Sequence, residues 1–200
     1  MSKVVVFENL TLDGVMQAPG RPDEDRRGGF QHGGWADMQV RSPEADPVLA
    51  GVVGESMANT GALLLGRRTY QDFYGFWPNQ TDNPFTQVLN TTLKYVASTT
   101  LAEPLPWSNS TLLEGDAAQA VARLKQQPGK DLVVLGSGEL VQSLMRRNLV
   151  DEYVLLIHPL VLGSGRRLFP DGSPTAALRL LDAKPTTTGV VAATYQPADR

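Results

Sequence analysis

The chain has 200 residues, 42% hydrophobic and 20% charged, with 18 basic against 21 acidic residues and a formal net charge of −3. A chain of this length can bury a substantial core as one domain over residues 1–200, and no broad basic field is present to neutralise a nucleic-acid backbone. Cysteine is absent and only His32 and His158 represent histidine, which argues against disulfides, thiolate nucleophiles and Cys- or His-built metal sites, so no metal ligands are assigned.

The first apolar run, Val4-Val5-Val6-Phe7, reads as a strand buried on both faces and stopped by Glu8. It is too short for a signal-peptide core, and no run approaches the roughly 18 apolar residues of a membrane span. The expectation is a soluble cytoplasmic protein with no membrane partner. Residues 19–43 follow as a long loop rich in Gly, Pro and charge, of the kind that is functional or partly disordered. Asp46-Pro47 caps a helix carrying Val48, Leu49, Val52, Val53 and Met57 on one side. Further strands are expected at 62–65, 94–97, 132–135 and 153–157, with a shorter one at 111–113. Helical faces are expected after Asp116 (Ala117, Ala120, Val121, Leu124) and at Leu140, Val141, Leu144 and Met145. Strands alternating with helices predict a mostly parallel sheet covered by helices on both faces. Residues 178–181 and 190–195 have no helix between them and predict an antiparallel C-terminal hairpin.

In an open parallel sheet, ligands bind outside the carboxyl ends of the strands. Three strand exits carry suitable turns. At Leu65-Gly66-Arg67-Arg68-Thr69-Tyr70, two arginines and a threonine stand at a helix N-terminus. Free N–H groups there favour an anion, although a solvated basic helix start reads the same way. At Ala97-Ser98-Thr99-Thr100 the hydroxyls can meet a phosphate or ribose, or simply cap a turn. Leu135-Gly136-Ser137-Gly138-Glu139-Leu140 is a strand, a Gly-x-Gly and a helix, a backbone nest for a pyrophosphate; Val141 stands where a full dinucleotide fingerprint has its last glycine. Gly163-Ser164-Gly165-Arg166-Arg167 can grip a substrate phosphate or serve as a surface turn. Asp13 shapes a turn with Gly14 or lies beside a ligand, and His158 reads as a packed core histidine. Gly54-Glu55-Ser56-Met57-Ala58 falls inside a helical pattern, not on the strand-to-helix turn a nucleophile elbow requires.

Taken in order, Thr11-Leu12-Asp13-Gly14, Leu65-Gly66-Arg67-Arg68-Thr69-Tyr70, Lys94-Tyr95-Val96-Ala97-Ser98, Gly136-Ser137-Gly138, Leu149-Val150-Asp151-Glu152 and His158-Pro159-Leu160-Val161-Leu162-Gly163-Ser164-Gly165 resemble the dihydrofolate reductase-like superfamily. The nearest branch is the one similar to the reductase domain of the bifunctional riboflavin-biosynthesis deaminase-reductase. The resemblance implies a central eight-stranded sheet, parallel except at its last strand. It also implies an NADPH-dependent oxidoreductase that transfers a hydride to a small heterocyclic or carbonyl substrate, as 5-amino-6-(5-phosphoribosylamino)uracil reductase does. The alternative is a nucleotide-cofactor-binding protein of the same fold without turnover. The deaminase partner needs cysteine ligands for zinc and is not expected here.

By the same resemblance, Gly66, Arg67, Arg68 and Thr69 take the cofactor phosphates, and Ser98 and Thr99 lie beside the adenosine 2′-phosphate. Gly136, Ser137 and Gly138, with Glu139 and Leu140, lie under the pyrophosphate and nicotinamide, which Asn9, Val15 and Met16 border. Trp35 resembles the tryptophan of an active-site loop. Ile157 stands where dihydrofolate reductase has a threonine that bonds the pterin. Asp13, Asp37 and a bound water are the candidate proton sources, and Asp37 and Asp46 are the nearest candidates for a substrate-binding carboxylate. A homodimer is implied as well. Trp77, Trp107, Phe76 and Phe85 lie in Pro- and Gly-containing connections, where they would form a partner surface or fold back over the sheet.

Overall fold

The β-branched and leucine-rich runs become the strands of a sheet in a computed structural model that describes residues 1–36, 46–81 and 83–198. The strands are β1 (Val4–Thr11), β2 (Thr60–Gly66), β3 (Leu93–Ala97), β4 (Ser110–Leu112), β5 (Asp131–Leu135), β6 (Glu152–His158), β7 (Leu178–Pro185) and β8 (Val191–Pro197). Their order is β4-β3-β2-β5-β1-β6-β8-β7. β2 pairs in parallel with β3 and β5, and β3 with β4, whereas β8 runs antiparallel to both β6 and β7. The C-terminal hairpin is therefore present, and β8 is the strand that reverses direction. β1 is longer than its apolar run, because Glu8 lies within the strand instead of ending it. The chain divides into two compact units, Met1–Val5 with Met57–Asp151, and Val6–Ser56 with Glu152–Arg200.

In the first unit, Leu63, Leu64, Leu65, Val96, Val133 and Val134 are all 1% exposed or less. Burial on both faces explains why these strands read as unbroken apolar runs and not as alternation. α2 (Arg67–Phe76) follows β2, α4 (Ala117–Lys125) precedes β5, and α5 (Gly138–Arg146) follows it. Asp116 caps α4, accepting from Gln119 N at 2.8 Å. α4 packs on α5, and Val121, Val141 and Leu144 are fully buried. α3 (Pro84–Thr91) has only eight residues, so its Phe85, Val88 and Leu89 spacing is too short a pattern to reveal it from periodicity alone. Asn83 caps it by accepting from Phe85 N.

Lys94 opens the inner part of β3, yet it is fully buried. Its ammonium donates to Thr92 O at 2.7 Å and Ser108 O at 3.0 Å, and it lies 4.4 Å from the Trp107 ring. Burial lowers its pKa to about 8. Trp107 is itself 2% exposed; its indole donates to Asn90 Oδ1 and its backbone N–H to Tyr70 Oη. Of the two readings of Trp107, the structure supports the one in which it folds back and is buried, not that of an exposed surface. Phe76 and Trp77 are half-buried and pack ring to ring at 5.2 Å, so they too fold back, while Phe85 remains exposed.

The second unit holds β6, β7, β8, most of β1 and most of α1 (Pro47–Asn59). Asp46 caps α1 through Oδ1, which accepts from Val48 N and Leu49 N. Its Oδ2 accepts from both the N–H and the hydroxyl of Thr187 in the β7–β8 turn, at 2.6 Å each. The described part of the long loop is closely held. Trp35 Nε1 donates to Gln17 O at 2.7 Å, Gln17 Nε2 donates to Arg27 O, and Val15, Ala18, Phe30, Trp35 and Ala36 form a buried cluster. No helix among the described residues is long and apolar enough to cross a membrane.

Candidate functional site

In the first unit, parallel pairing places the carboxyl ends of β2 and β5 side by side, and each opens into a helix. Ser137 joins them. Its Oγ accepts from Gly66 N at 2.9 Å and lies 2.9 Å from Thr69 Oγ1 and 3.2 Å from Leu135 O, with one proton to give. Ser137 adopts a left-handed conformation, φ 62° and ψ 42°, which lets the chain turn from β5 into α5. Gly136 has φ 58°, and a Cβ there would lie 3.2 Å from Thr69 Cγ2. Bare backbone is needed at that point. Gly66 has no side chain to cap α2, and no acidic residue stands in the helix's first turn. The first N–H groups of α2 therefore keep their preference for an anion. Arg67 is half-buried and Arg68 exposed beside them. Gly138, Glu139 and Leu140 form the first turn of α5, with Glu139 exposed and Leu140 buried. The geometry fits a phosphate group: two helix starts, one bare turn and two guanidinium-bearing residues. Ser98, at the end of the neighbouring β3, closes a local turn by accepting from Thr100 N and Leu101 N; Thr99 beside it is exposed.

In the second unit, the expected site residues separate into ligand-accessible and interior ones. Asp13 accepts from Thr11 Oγ1 at 2.6 Å, Leu162 N at 3.2 Å and Gly163 N at 2.9 Å, and pairs with Arg167 at 3.6 Å. The Thr11 hydroxyl above all holds its carboxyl down at about 2. Asp13 is thus ionised at neutral pH and ties the β1 exit to the 162–163 turn. These bonds fit the turn-shaping reading of Asp13 better than that of a proton source. Asp46 likewise has both carboxylate oxygens engaged, with its helix cap and with Thr187. Asp37 lies outside the described residues.

Val15 is fully buried, its N–H donates to Thr11 Oγ1 and its carbonyl accepts from Thr11 N. Trp35 is 2% exposed. Both are interior residues, their side chains packed within the cluster that the loop forms. Gly165 has φ 119°, and a Cβ there would lie 2.7 Å from Phe30 Cε2 and Val15 Cγ1, so the 163–167 turn is seated on that same cluster. Met16, Ile157 and Asn9 are half-buried and remain accessible.

Glu8 escaped sequence reasoning, whereas His158 is the packed core histidine that the sequence predicted. Glu8 is 3% exposed, and burial first, then the charge of Glu24, raises its pKa well above the carboxylate range. Its Oε1 has no hydrogen-bond partner. A glutamate within an apolar strand was the available signal. His158 is fully buried; its Nε2 lies 2.9 Å from Asn9 Oδ1, and its ring meets Trp35 edge-on at 5.2 Å. Burial lowers its pKa to about 4. A sequence separation of 149 between Asn9 and His158 hid that pairing.

An eight-stranded, mostly parallel sheet with a reversed C-terminal strand and helix-bearing strand exits defines a dihydrofolate reductase-like α/β protein. The fold matches a dihydrofolate reductase from Enterococcus faecalis complexed with NADP(H) and RAB-propyl, at TM-score 0.57 and 12% identity, over 98% of this chain and 97% of that one. It matches a riboflavin biosynthesis protein from Shewanella sp. PV-4 at TM-score 0.73 and 21% identity, over 98% of this chain and 99% of that one. The RibD C-terminal domain family model matches residues 2–192, and the chain belongs to that family. A Bacillus subtilis (strain 168) relative, the uncharacterized protein YyaP, is 30% identical over 138 residues, 66% of this chain and 72% of its own.

Proposed function

We propose that this chain is an NADPH-dependent reductase, one domain over residues 1–200, that transfers a hydride to a small heterocyclic or carbonyl substrate. The observation that carries this reading is the pair of helix starts at β2 and β5, bridged by Ser137 and flanked by Arg67 and Arg68, in a chain of the RibD C-terminal family. Gly66, Thr69, Gly136, Ser137 and Gly138 would hold cofactor phosphates; Arg67 and Arg68, with Thr99 and the hydroxyl proton of Ser98, would meet the 2′-phosphate. Asn9, Met16 and Ile157 would face the nicotinamide and the substrate. NADPH supplies the hydride when bound. The protein's part is to orient the reactants and exclude water. A homodimer in the cytoplasm acting in riboflavin-type chemistry completes the reading; light scattering that returns a single 21.7 kDa chain refutes the dimer.

The experiment is Arg67→Ala with calorimetry against NADPH and NADH. A charge-assisted phosphate contact contributes about 1.5–3 kcal/mol, so NADPH should weaken about tenfold or more and NADH little. Equal losses for both cofactors remove the 2′-phosphate assignment. The structural commitment of both Asp13 and Asp46 favours a second reading, cofactor binding without turnover. Stopped-flow oxidation of bound NADPH against a carbonyl panel separates the two: no oxidation with any acceptor selects the second.

A further inference from the structure

β7 ends the sheet, and among the described residues no strand pairs with its outer edge. Its inner edge pairs with β8 in a register that slips between Leu180 and Asp182, so Leu181 is an extra residue, a β-bulge. Residues directly opposite in an antiparallel pair share a face of the sheet. Leu178, Leu180, Ala183 and Pro185 lie opposite Pro197, Tyr195, Ala193 and Val191 on one face. Arg179, Asp182 and Lys184 lie opposite Gln196, Thr194 and Ala192 on the other. The bulge sorts them this way, because in an unbroken strand Arg179 and Asp182 would point to opposite faces. The 3.2 Å ion pair of Lys184 with Asp182 joins two members of the charged face.

The apolar face runs inward from Leu180 through Tyr195 to Tyr153, whose ring meets Phe169 at 6.1 Å. Tyr153 is buried, yet Leu180 at the rim is 51% exposed. An exposed edge strand with an apolar face is a template for another strand. The charges select which one. Set antiparallel to itself about a two-fold axis at Leu180, β7 places Leu180 against Leu180, Leu178 against Ala183, and Arg179 against Asp182 twice. Moving the axis one step along the ladder sets Arg179 against Arg179, or Asp182 against Asp182 with Arg179 against Lys184, and like charges directly opposite are destabilising. One register thus suits both faces. We propose that β7 is the interface of a homodimer, in which the β7 edges of two copies pair antiparallel about a two-fold axis at Leu180 and Arg179 of each subunit faces the partner's Asp182. This rests on the homodimer reading and adds the surface to it.

Sedimentation of the full chain at micromolar concentration, with two variants, tests it. Wild-type protein should run at twice 21.7 kDa. Arg179→Asp sets two carboxylates face to face at both ends of the pair, and Asp182→Arg sets two guanidinium groups there. Both positions are exposed, so each variant should fold as wild type by circular dichroism. Each alone should raise the dimer dissociation constant about tenfold or more. Mixed in equal amounts, they restore Asp against Arg at both ends, and a heterodimer should form with a dissociation constant within about threefold of the wild-type dimer. Variants that dissociate alone and stay apart when mixed overturn the register. Variants that remain dimers as tight as wild type overturn β7 as the interface and leave the homodimer reading standing. A wild-type protein that runs as a single chain refutes the homodimer reading, and the β7 interface with it.

Discussion

His158→Gln tests the buried imidazole through the pH dependence of stability. The unfolded chain protonates this residue near 6.5, and burial lowers the folded value to about 4. Between those values the unfolded state holds more protons, so stability falls as pH falls, and the contribution is fully present only above 6.5. Integration across that window gives a loss of about 2 kcal/mol at pH 5 and about 3 kcal/mol at pH 4. Glutamine can still donate to Asn9 but does not titrate. At pH 7.5 the variant should be less stable than wild type, because the edge contact with Trp35 is gone. Acidification should then close or reverse the gap. A change of about 2 kcal/mol corresponds to roughly 4–8 °C of melting temperature in a domain of this size. Thermal melts of both proteins at pH 7.5, 6 and 5 measure it. A gap that stays constant from pH 7.5 to 5 would refute the buried, neutral histidine.

Glu8 carries the opposite sign. Its folded pKa is raised, so its contribution is present below 4.5 and is lost as pH rises. Glu8→Gln should raise the melting temperature at pH 8 relative to pH 5 when each is compared with wild type; a uniform decrease at both pH values argues that the ionised form is needed. Ser137→Ala keeps the left-handed turn but removes the bonds to Gly66 and Thr69. It should reduce stability by about 1–3 kcal/mol and weaken NADPH as well, and calorimetry showing unaltered NADPH affinity would separate the bridge from the phosphate site. Asp46→Ala removes a helix cap and the anchor of the β7–β8 turn together. Urea denaturation should show a loss above the roughly 1 kcal/mol of a lone cap, and a loss at or below that value means Thr187 contributes nothing.

The strands that read most clearly in the sequence were those buried on both faces. Leu63-Leu64-Leu65 and Leu132-Val133-Val134 are continuous apolar runs because each residue meets the interior whichever way it points. Local chemistry likewise set the Asp46 and Asp116 helix caps, since a cap depends only on neighbours in the chain, whereas the glycine at 136 also answers to the distant Thr69. Glu8, Lys94 and Asp13 were not legible in this way. Their side chains suggest exposure or catalysis, and burial and partners distant in sequence decided their roles, whereas His158 has the packed core role expected of it. Asp13 became a clamp only when Leu162 and Gly163 were brought to it, and Trp35 became interior only when residues 15–36 closed over Phe30 and His158. Periodicity records which face of an element is apolar. Which carboxyl keeps its proton, and which amide hydrogen stays free, depend on burial and hydrogen bonds that exist only in the folded chain.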